Sequence, residues 1–392
     1  MTLRPNAIDY RLDALSSHML LSHSAAQLAD PARQAAALRL VHWYLPGWFL
    51  SVLLPVFGLA YFWRSGHAAA LRDALRRRFD DENFVRFVFG AVLGAIVRIA
   101  ALLPSLYLYR LERLMSQSDQ LLRSWSIDWI LITLLWMLVV GVVTAGVLWL
   151  VDRTHQWYLY TIGIILALSF AVAYLSPVVA APFEQIVPMP PRTLAAIRAI
   201  ETRAHMAIPV VEQIRVRSHV GTAYVAGLGA TQRIVIGNAI VEVTSARELQ
   251  YVIARQLGFI ANGAPWKVAL IDALLLIVGA AIAVAIADRF GFRRDDDPVS
   301  RFALLGAFFG VLYLFAVPGG NALLRGISLG ADGYALSLHV NRAAAVRNVV
   351  RATDESLTEV CPDILARVFL QRAPDPAVRV HDINNVVSTC PP

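Results

Sequence analysis

Residues 246–262 read ARELQYVIARQLGFIAN, and their pattern predicts a single amphipathic helix. Ser245 and Glu248 form Ser-x-x-Glu, the capping box that begins many helices. An Asn-Gly pair at 262–263, followed by a proline, is a helix stop signal. Between these ends, apolar residues recur at helical spacing, so one face of the helix is apolar. The recurring residues are Leu249, Val252, Ile253, Leu257 and Ile260.

The rest of the chain has the composition of a membrane protein. Of its 392 residues 57% are hydrophobic, and the mean hydropathy of +0.57 lies well above that of a soluble globular chain. Six stretches are long and apolar enough to cross a bilayer as helices, although any one alone would also fit a buried core helix. They are residues 43–63, 84–109, 127–151, 157–183, 268–287 and 302–324.

Three positions of the predicted helix have the spacing of a zinc-binding motif without its residues. In His-Glu-x-x-His, two histidines on one helix face bind zinc and the glutamate is the general base. Arg255, Gln256 and Phe259 hold those places here. Arginine has no lone pair for a metal, glutamine cannot take a proton from water, and phenylalanine has no ligand atom. Taken alone, the segment fits an ordinary amphipathic helix at least as well.

Several other stretches carry a resemblance, in the same order along the chain. Residues 218–241 read SHVGTAYVAGLGATQRIVIGNAIV, and residues 325–335 contain Arg-x-x-Ser-x-x-Ala-Asp-x-x-Ala. Upstream, Glu112, Trp125 and Asp128 precede a long apolar run. Together with the helix, these stretches resemble the integral-membrane zinc metallopeptidases of the CAAX prenyl protease type, particularly their bacterial relatives.

The resemblance extends from about Leu71 to the C-terminus and implies a fold. We expect a polytopic α-helical membrane protein with about six transmembrane helices and an inserted small α+β domain of gluzincin type. The implied divisions are an N-terminal helical segment (1–42), four transmembrane helices (43–183), a degenerate metallopeptidase-like domain (184–265), a transmembrane helical hairpin (266–324), and the C-terminal helical part of that domain with the tail (325–392).

Departures from the family pattern fall on the positions that carry the chemistry. The family's third zinc ligand, a glutamate, is Ser328 here, and Arg255, Gln256 and Phe259 replace the His, Glu and His of the helix. A register slip would not lose every ligand and keep the scaffold residues, so we predict no catalytic residues, no bound metal and no cofactor. The retained scaffold residues are Gly227, Gly229, Arg233, Leu257, Gly258, Arg325, Ala331 and Asp332.

Two further predictions concern the surroundings of the lost metal. In the family, the aspartate four residues after the third ligand holds the first histidine of the helix, and the matching residues here are Asp332 and Arg255. We therefore predict an ion pair between them. Of the family's Asn-Ala-Tyr hairpin, Ala223 and Tyr224 remain, whereas Thr222 replaces the asparagine. These residues are predicted to present a strand edge that an extended peptide can join. The alternative is that a loop covers this edge.

No other residues are expected to rebuild a metal site. His219, His339 and His381 form no pair at zinc spacing on a helix face. Ser328 has no evident histidine or lysine partner, which favours a small side chain in the space of a glutamate over a nucleophile. Cys361 and Cys390 are the only cysteines, so we expect neither a thiolate zinc site nor a disulfide framework.

Two functions are open at this point. The first is a pseudoprotease that binds a peptide, a lipid or a membrane-protein partner, such as an active homologue, in the chamber that the family encloses. The alternative is a membrane-bound hydrolase or peptidase with relocated catalytic residues. Transport is a third, weaker hypothesis, which rests only on Arg98 within a predicted span.

The net charge of +7 is explained by arginines near anionic lipid, and no basic-aromatic pattern indicates nucleic acid.

Charge alone does not decide how the protein is oriented in the bilayer. Arginines between the first two spans place that loop in the cytoplasm and the peptidase-like domain outside, whereas those at 110–123 argue the reverse. The family resemblance breaks the tie, and we expect a bacterial inner-membrane protein with the peptidase-like domain in the cytosol. The first group comprises Arg64, Arg72, Arg76, Arg77 and Arg78, and the second Arg110, Arg113 and Arg123.

Overall fold

The computed structural model describes residues 11–180, 185–205, 208–215, 221–289, 298–387 and 390. Long apolar helices and one small sheet make up these parts of the chain. The helices are α1 (Arg11–Ala14), α2 (Ser17–Ser22), α3 (Ala25–Leu28), α4 (Pro31–Arg64), α5 (His67–Arg78), α6 (Glu82–Ala100), α7 (Leu102–Leu114), α8 (Leu122–Arg153), α9 (Trp157–Ala180), α10 (Pro191–Ala204), α11 (Asn238–Val243), α12 (Ala246–Ala261), α13 (Ala264–Arg289), α14 (Pro298–Ser337), α15 (Arg342–Glu355) and α16 (Pro376–Asn384). The strands are β1 (Val210–Ile214), β2 (Ala223–Ala226) and β3 (Arg233–Gly237).

Six helices are long and apolar enough to cross a membrane, which confirms the predicted helical membrane fold; they are α4, α6, α8, α9, α13 and α14. Their ends differ from the predicted spans. The first membrane helix already begins at Pro31, where the side chain of Asp30 caps it by accepting from the Ala32 N–H at 2.8 Å. The predicted second span is divided at Ala101, because Pro104 has no N–H to continue the helical ladder.

Helix α14 connects the membrane region to the peptidase-like domain without a break. It begins at Pro298 and ends at Ser337, so it carries both the apolar run and, further along, Ser328 and Asp332. The position of these two side chains is therefore fixed by a continuous helix rather than by a loop.

The sheet of the peptidase-like domain has the order β1-β3-β2. Strand β3 is buried along its whole length and pairs parallel with β1 and antiparallel with β2. The outer edge of β1 is covered by residues 185–187, where Val187 N donates to Gln213 O and Arg215 N donates to Gln185 O. Helices α10, α12 and α15 pack with this sheet around one hydrophobic core.

The N-terminal arm, residues 11–30, packs into the same core. Leu12, Leu20 and Leu28 are buried there, and the side chain of Asn384 in α16 donates to the carbonyl of His23 at 2.9 Å. The local sequence does not show this contact, because the arm and α16 lie more than three hundred residues apart in the chain.

The expectation about the cysteines is wrong: Cys361 and Cys390 form a disulfide, with their Cα atoms 5.4 Å apart. Helix α16 packs against α15 and returns the tail to the segment that follows α15. The two cysteines are 29 residues apart in the sequence, and this spacing does not predict their pairing. The pairing depends on how α15 and α16 pack against each other.

Candidate functional site

The site is built where α12 crosses α14, and a glycine sets their separation. A Cβ atom on Gly258 would lie 2.6 Å from the carbonyl oxygen of Ala331 and 2.9 Å from its Cα. Only glycine lets the two backbones approach this closely. This contact explains why Gly258 and Ala331 are among the family residues that the chain retains. It also places the preceding turn of α12 beside Ser328 and Asp332.

The predicted ion pair between Arg255 and Asp332 is present, within a larger cluster. Arg255 Nε donates to Asp332 Oδ1 at 2.6 Å, and Arg255 Nη2 donates to Ser328 Oγ. Arg379 Nε donates to Asp332 Oδ2 at 2.8 Å, and the Tyr251 hydroxyl donates to Asp332 Oδ1 at 2.8 Å. We call Tyr251, Arg255, Ser328, Asp332 and Arg379 the Asp332 cluster.

The Asp332 cluster has one positive charge in excess, since it holds two arginines and a single carboxylate. Burial lowers the pKa of Arg255, and the nearby Arg379 guanidinium lowers it further. Burial also raises the pKa of Tyr251 to about 12, so its hydroxyl stays protonated and donates to Asp332. Burial lowers the pKa of Arg379, but contact with the Asp332 carboxylate outweighs this effect and the pKa is raised.

The other two replacement positions have different surroundings. The ring of Phe259 lies under the Arg255 guanidinium, 4.9 Å from ring centroid to Cζ, in cation–π geometry. Gln256 points into the domain and is only 2% exposed, and its Oε1 has no hydrogen-bond partner within the described chain. The helix thus brings Arg255 and Phe259 to the site together with Ser328, whereas Gln256 belongs to the interior.

The side chains at the site do not fit a zinc ion. Asp332 is the one carboxylate there, and its oxygens accept from Tyr251, Arg255 and Arg379. No group of three or more His, Cys, Asp or Glu residues that could hold a metal occurs in the parts of the chain that the structure describes. His219, considered above as a ligand, lies outside those parts.

Strand β2 forms the second part of the site, and its ladder shows which groups face outward. Gly237 N donates to Thr222 O at 2.7 Å. In an antiparallel ladder alternate residues bond to the partner strand, so Thr222, Tyr224 and Ala226 direct their backbone groups to β3. The N–H and C=O groups of Ala223 and Val225 therefore point away from β3.

The retained scaffold residues hold the cleft together. A Cβ on Gly227, whose φ is +83°, would lie 2.4 Å from Thr231 O, so the turn after β2 requires glycine. Arg233 pairs with Glu212 at 2.7 Å and also donates to the Pro177 carbonyl of membrane helix α9. These contacts attach the sheet to the membrane region.

Sequence reasoning missed two members of the Asp332 cluster. Tyr251 lies four residues before Arg255 and so on the same helix face, a spacing that could have identified it. Arg379 follows Asp375-Pro376 at the place where the family has Arg-Ile, a resemblance that marks the residue. Its approach to Asp332 is not marked, because it depends on the packing of α16 against α14.

Six long apolar helices, the last of which continues into a small helix-and-sheet domain and meets α12 there, are the architecture of an integral-membrane metallopeptidase. The family model described as "CAAX prenyl protease N-terminal, five membrane helices" matches residues 27–184, and that of peptidase family M48 matches residues 194–389. The chain belongs to peptidase family M48, which confirms the resemblance read from the sequence.

Two known proteins are similar to the chain. An uncharacterized metalloprotease, YhfN, of Bacillus subtilis (strain 168) is 23% identical over 334 residues, which cover 82% of this chain and 76% of that protein. The crystal structure of S. mikatae Ste24p superposes with a TM-score of 0.65 at 18% identity, covering 76% of this chain and 75% of that one. The second likeness shows the fold alone.

Proposed function

We propose that this protein is a pseudoprotease, a member of peptidase family M48 that has lost its zinc site and binds an extended peptide in the remaining cleft. The observation that carries the proposal is the Asp332 cluster. It places the Arg255 guanidinium and the Ser328 hydroxyl at positions that correspond, by the family resemblance, to zinc ligands.

Charge and ligand count both support the loss of zinc. A catalytic zinc uses three protein ligands, and Arg255, Phe259 and Ser328 provide no histidine or carboxylate for one. A divalent cation in this place would also meet two guanidiniums and a single carboxylate whose oxygens are already engaged.

Strand β2 supports the peptide-binding half of the proposal. Ala223 and Val225 have outward backbone groups that bond to no other described residue, whereas residues 185–187 cover the opposite edge of the sheet at β1. A strand edge of this kind binds an extended peptide through main-chain hydrogen bonds and needs no metal. The peptide can belong to a membrane-protein partner, including an active relative, and lipid is the competing ligand.

Relocated catalysis has no comparable support. Ser328 accepts a hydrogen bond from Arg255, which remains protonated and cannot act as its base.

The transport alternative rested on Arg98. Its Nε lies 3.4 Å from Thr133 Oγ1 and its guanidinium 5.3 Å from the Trp129 ring centroid, contacts that packing of α6 on α8 explains.

Binding of a fluorescein-labelled peptide of alternating valine and threonine to the purified protein tests the proposal. We expect binding that a chelator leaves unchanged and that Val225→Pro abolishes, because proline removes the outward N–H. Val225→Ala is the matched control, since it shortens the same side chain and keeps the N–H. Should Val225→Pro fail to fold, backbone N-methylation of the peptide removes the same hydrogen bonds. Chelator-sensitive binding, or no binding at all, would contradict the proposal.

The localisation proposed is a bacterial inner membrane, and the disulfide bears on the side that the peptidase-like domain faces. Disulfides persist in oxidising compartments and are rare in the cytosol. We therefore place the domain on the oxidising side, against the expectation from the family resemblance. The arginine-rich segment α5, on the other side of the first membrane helix, agrees with this orientation. A membrane-impermeant thiol reagent that labels the reduced cysteines in intact spheroplasts would support it.

A further inference from the structure

We propose that the Asp332 cluster receives the free C-terminal carboxylate of the peptide that binds along β2. This inference rests on the proposed function and names the chemical group that the cleft recognises. It assigns Arg255 and Arg379 as the residues that bind this group, with the Ser328 hydroxyl as a further donor.

The charge of the cluster is unbalanced. Two guanidiniums share the carboxylate of Asp332, and no second acidic side chain within the described chain pairs with either of them. An uncompensated positive charge in a partly buried site favours an anion in contact with it. A monovalent carboxylate would neutralise the cluster.

Hydrogen-bond donors in the cluster also outnumber the acceptors. Arg255 uses Nε for Asp332 and Nη2 for Ser328, and Arg379 uses Nε and Nη2 for Asp332 and Tyr251. Nη1 of each arginine makes no hydrogen bond with the described residues, and Ser328 donates none. A planar carboxylate has the acceptor geometry that guanidinium groups bind best.

The arginines of the cluster are partly exposed. The side chains of Arg255 and Arg379 are 17% and 14% exposed, whereas that of Asp332 is 4% exposed. Between Tyr251 and Gly258, Arg255 is the one residue of α12 that is partly exposed. Parts of both arginine side chains are thus accessible to solvent, whereas the carboxylate between them is almost fully enclosed.

The position of the cluster relates it to the proposed peptide site. Helix α12, which carries Arg255, packs against β2. A strand added beside β2 therefore comes within reach of the helix face that holds the open arginine. A peptide ending there would place its terminal carboxylate against Arg255 and Arg379, and a longer chain would have to continue past the arginines without an anion to offer.

The test compares the alternating valine-threonine peptide with a free C-terminal acid and with a C-terminal amide. We expect the acid to bind about tenfold more tightly, the effect of one charge-assisted hydrogen-bonded contact. In Arg255→Gln this preference for the acid over the amide should disappear, and Arg255→Lys should retain part of it. If Arg255→Gln does not fold, sodium acetate should compete with the acid peptide on the wild-type protein and leave amide binding unchanged.

The outcomes separate the two proposals. Equal binding of acid and amide would overturn the carboxylate inference and leave the edge-strand proposal standing. Failure of both peptides to bind would contradict the proposed function itself. Competition by phosphatidylglycerol in otherwise neutral nanodiscs, with no preference between acid and amide, would assign the arginines to a lipid phosphate and overturn the inference.

Discussion

Two arginine clusters attach α12 to the rest of the peptidase-like domain, and they differ in charge and in access to water. In the cluster that we call sealed because its arginine is enclosed, Arg351 pairs with Glu248 at 3.3 Å and with Asp13 at 2.5 Å. The side chains of Arg351 and Glu248 are 1% and 0% exposed, whereas that of Asp13, at the rim, is 45% exposed. In the Asp332 cluster two arginines share one carboxylate and remain partly exposed.

The difference indicates separate roles. The sealed cluster joins the N-terminal arm, α12 and α15, and its acidic groups outnumber its arginine, so it has no charge to offer an anion. The Asp332 cluster joins α12, α14 and α16 but keeps an excess positive charge on partly exposed arginines. We infer that the first cluster serves stability and that the second serves binding as well as stability.

The largest effect is expected from Arg351→Met. It leaves Glu248 buried without its partner, and we expect the free energy of unfolding to fall by about 3–5 kcal/mol. Denaturant titration in detergent micelles measures this, with Arg342→Met, at an exposed position of the same helix, as the control. Equal small losses in both variants would remove the distinction between a sealed and an open cluster.

A smaller loss, about 2–3 kcal/mol, is expected from Asp332→Ala, because the two arginines left behind can regain water through the opening. The double variant with Arg255→Leu should recover part of this loss, since it removes one of the unpaired charges. The same titrations measure both. Losses that simply add in the double variant would show that the two residues do not interact.

The smallest effect concerns Glu359, which is buried and has no arginine of the described residues beside it. Burial, together with the nearby Asp363 carboxylate, raises the pKa of Glu359 to about 7. A carboxyl group whose pKa is raised on folding stabilises the protein at low pH, and this contribution is lost as the pH rises from about 4.5 to about 7. We therefore expect the melting temperature to fall over this range, and to fall less in Glu359→Gln. A wild-type melting temperature that rises between these pH values would contradict the assignment.

Local patterns predicted the elements that local physics controls. The helix expected from the Ser245 capping box and the following apolar face is observed at Ala246–Ala261, with the Ser245 N–H donating to Glu248 Oε2 at 2.8 Å. Hydropathy was enough to predict six membrane helices. The family resemblance was enough to predict the contact between Arg255 and Asp332.

Contacts between distant parts of the chain were not predictable in the same way. The pairing of Asp13 with Arg351 joins residues 338 apart, and no local pattern records it. Glu248 illustrates the limit: its capping role is visible in the sequence, whereas its ion pair with Arg351 is visible only in the fold. The approach of Arg379 to Asp332 likewise depends on how α16 packs.

Metal content of the purified protein, measured beside that of a variant with the family's ligands restored, tests the central claim most directly. The restored variant combines Arg255→His, Gln256→Glu, Phe259→His and Ser328→Glu, so three ligands and the base return to the helices that still meet at Gly258. After dialysis against zinc, we predict background metal in the wild type and about one equivalent in the variant. About one equivalent of zinc in the wild type, removed by a chelator together with a proteolytic activity, would contradict the account.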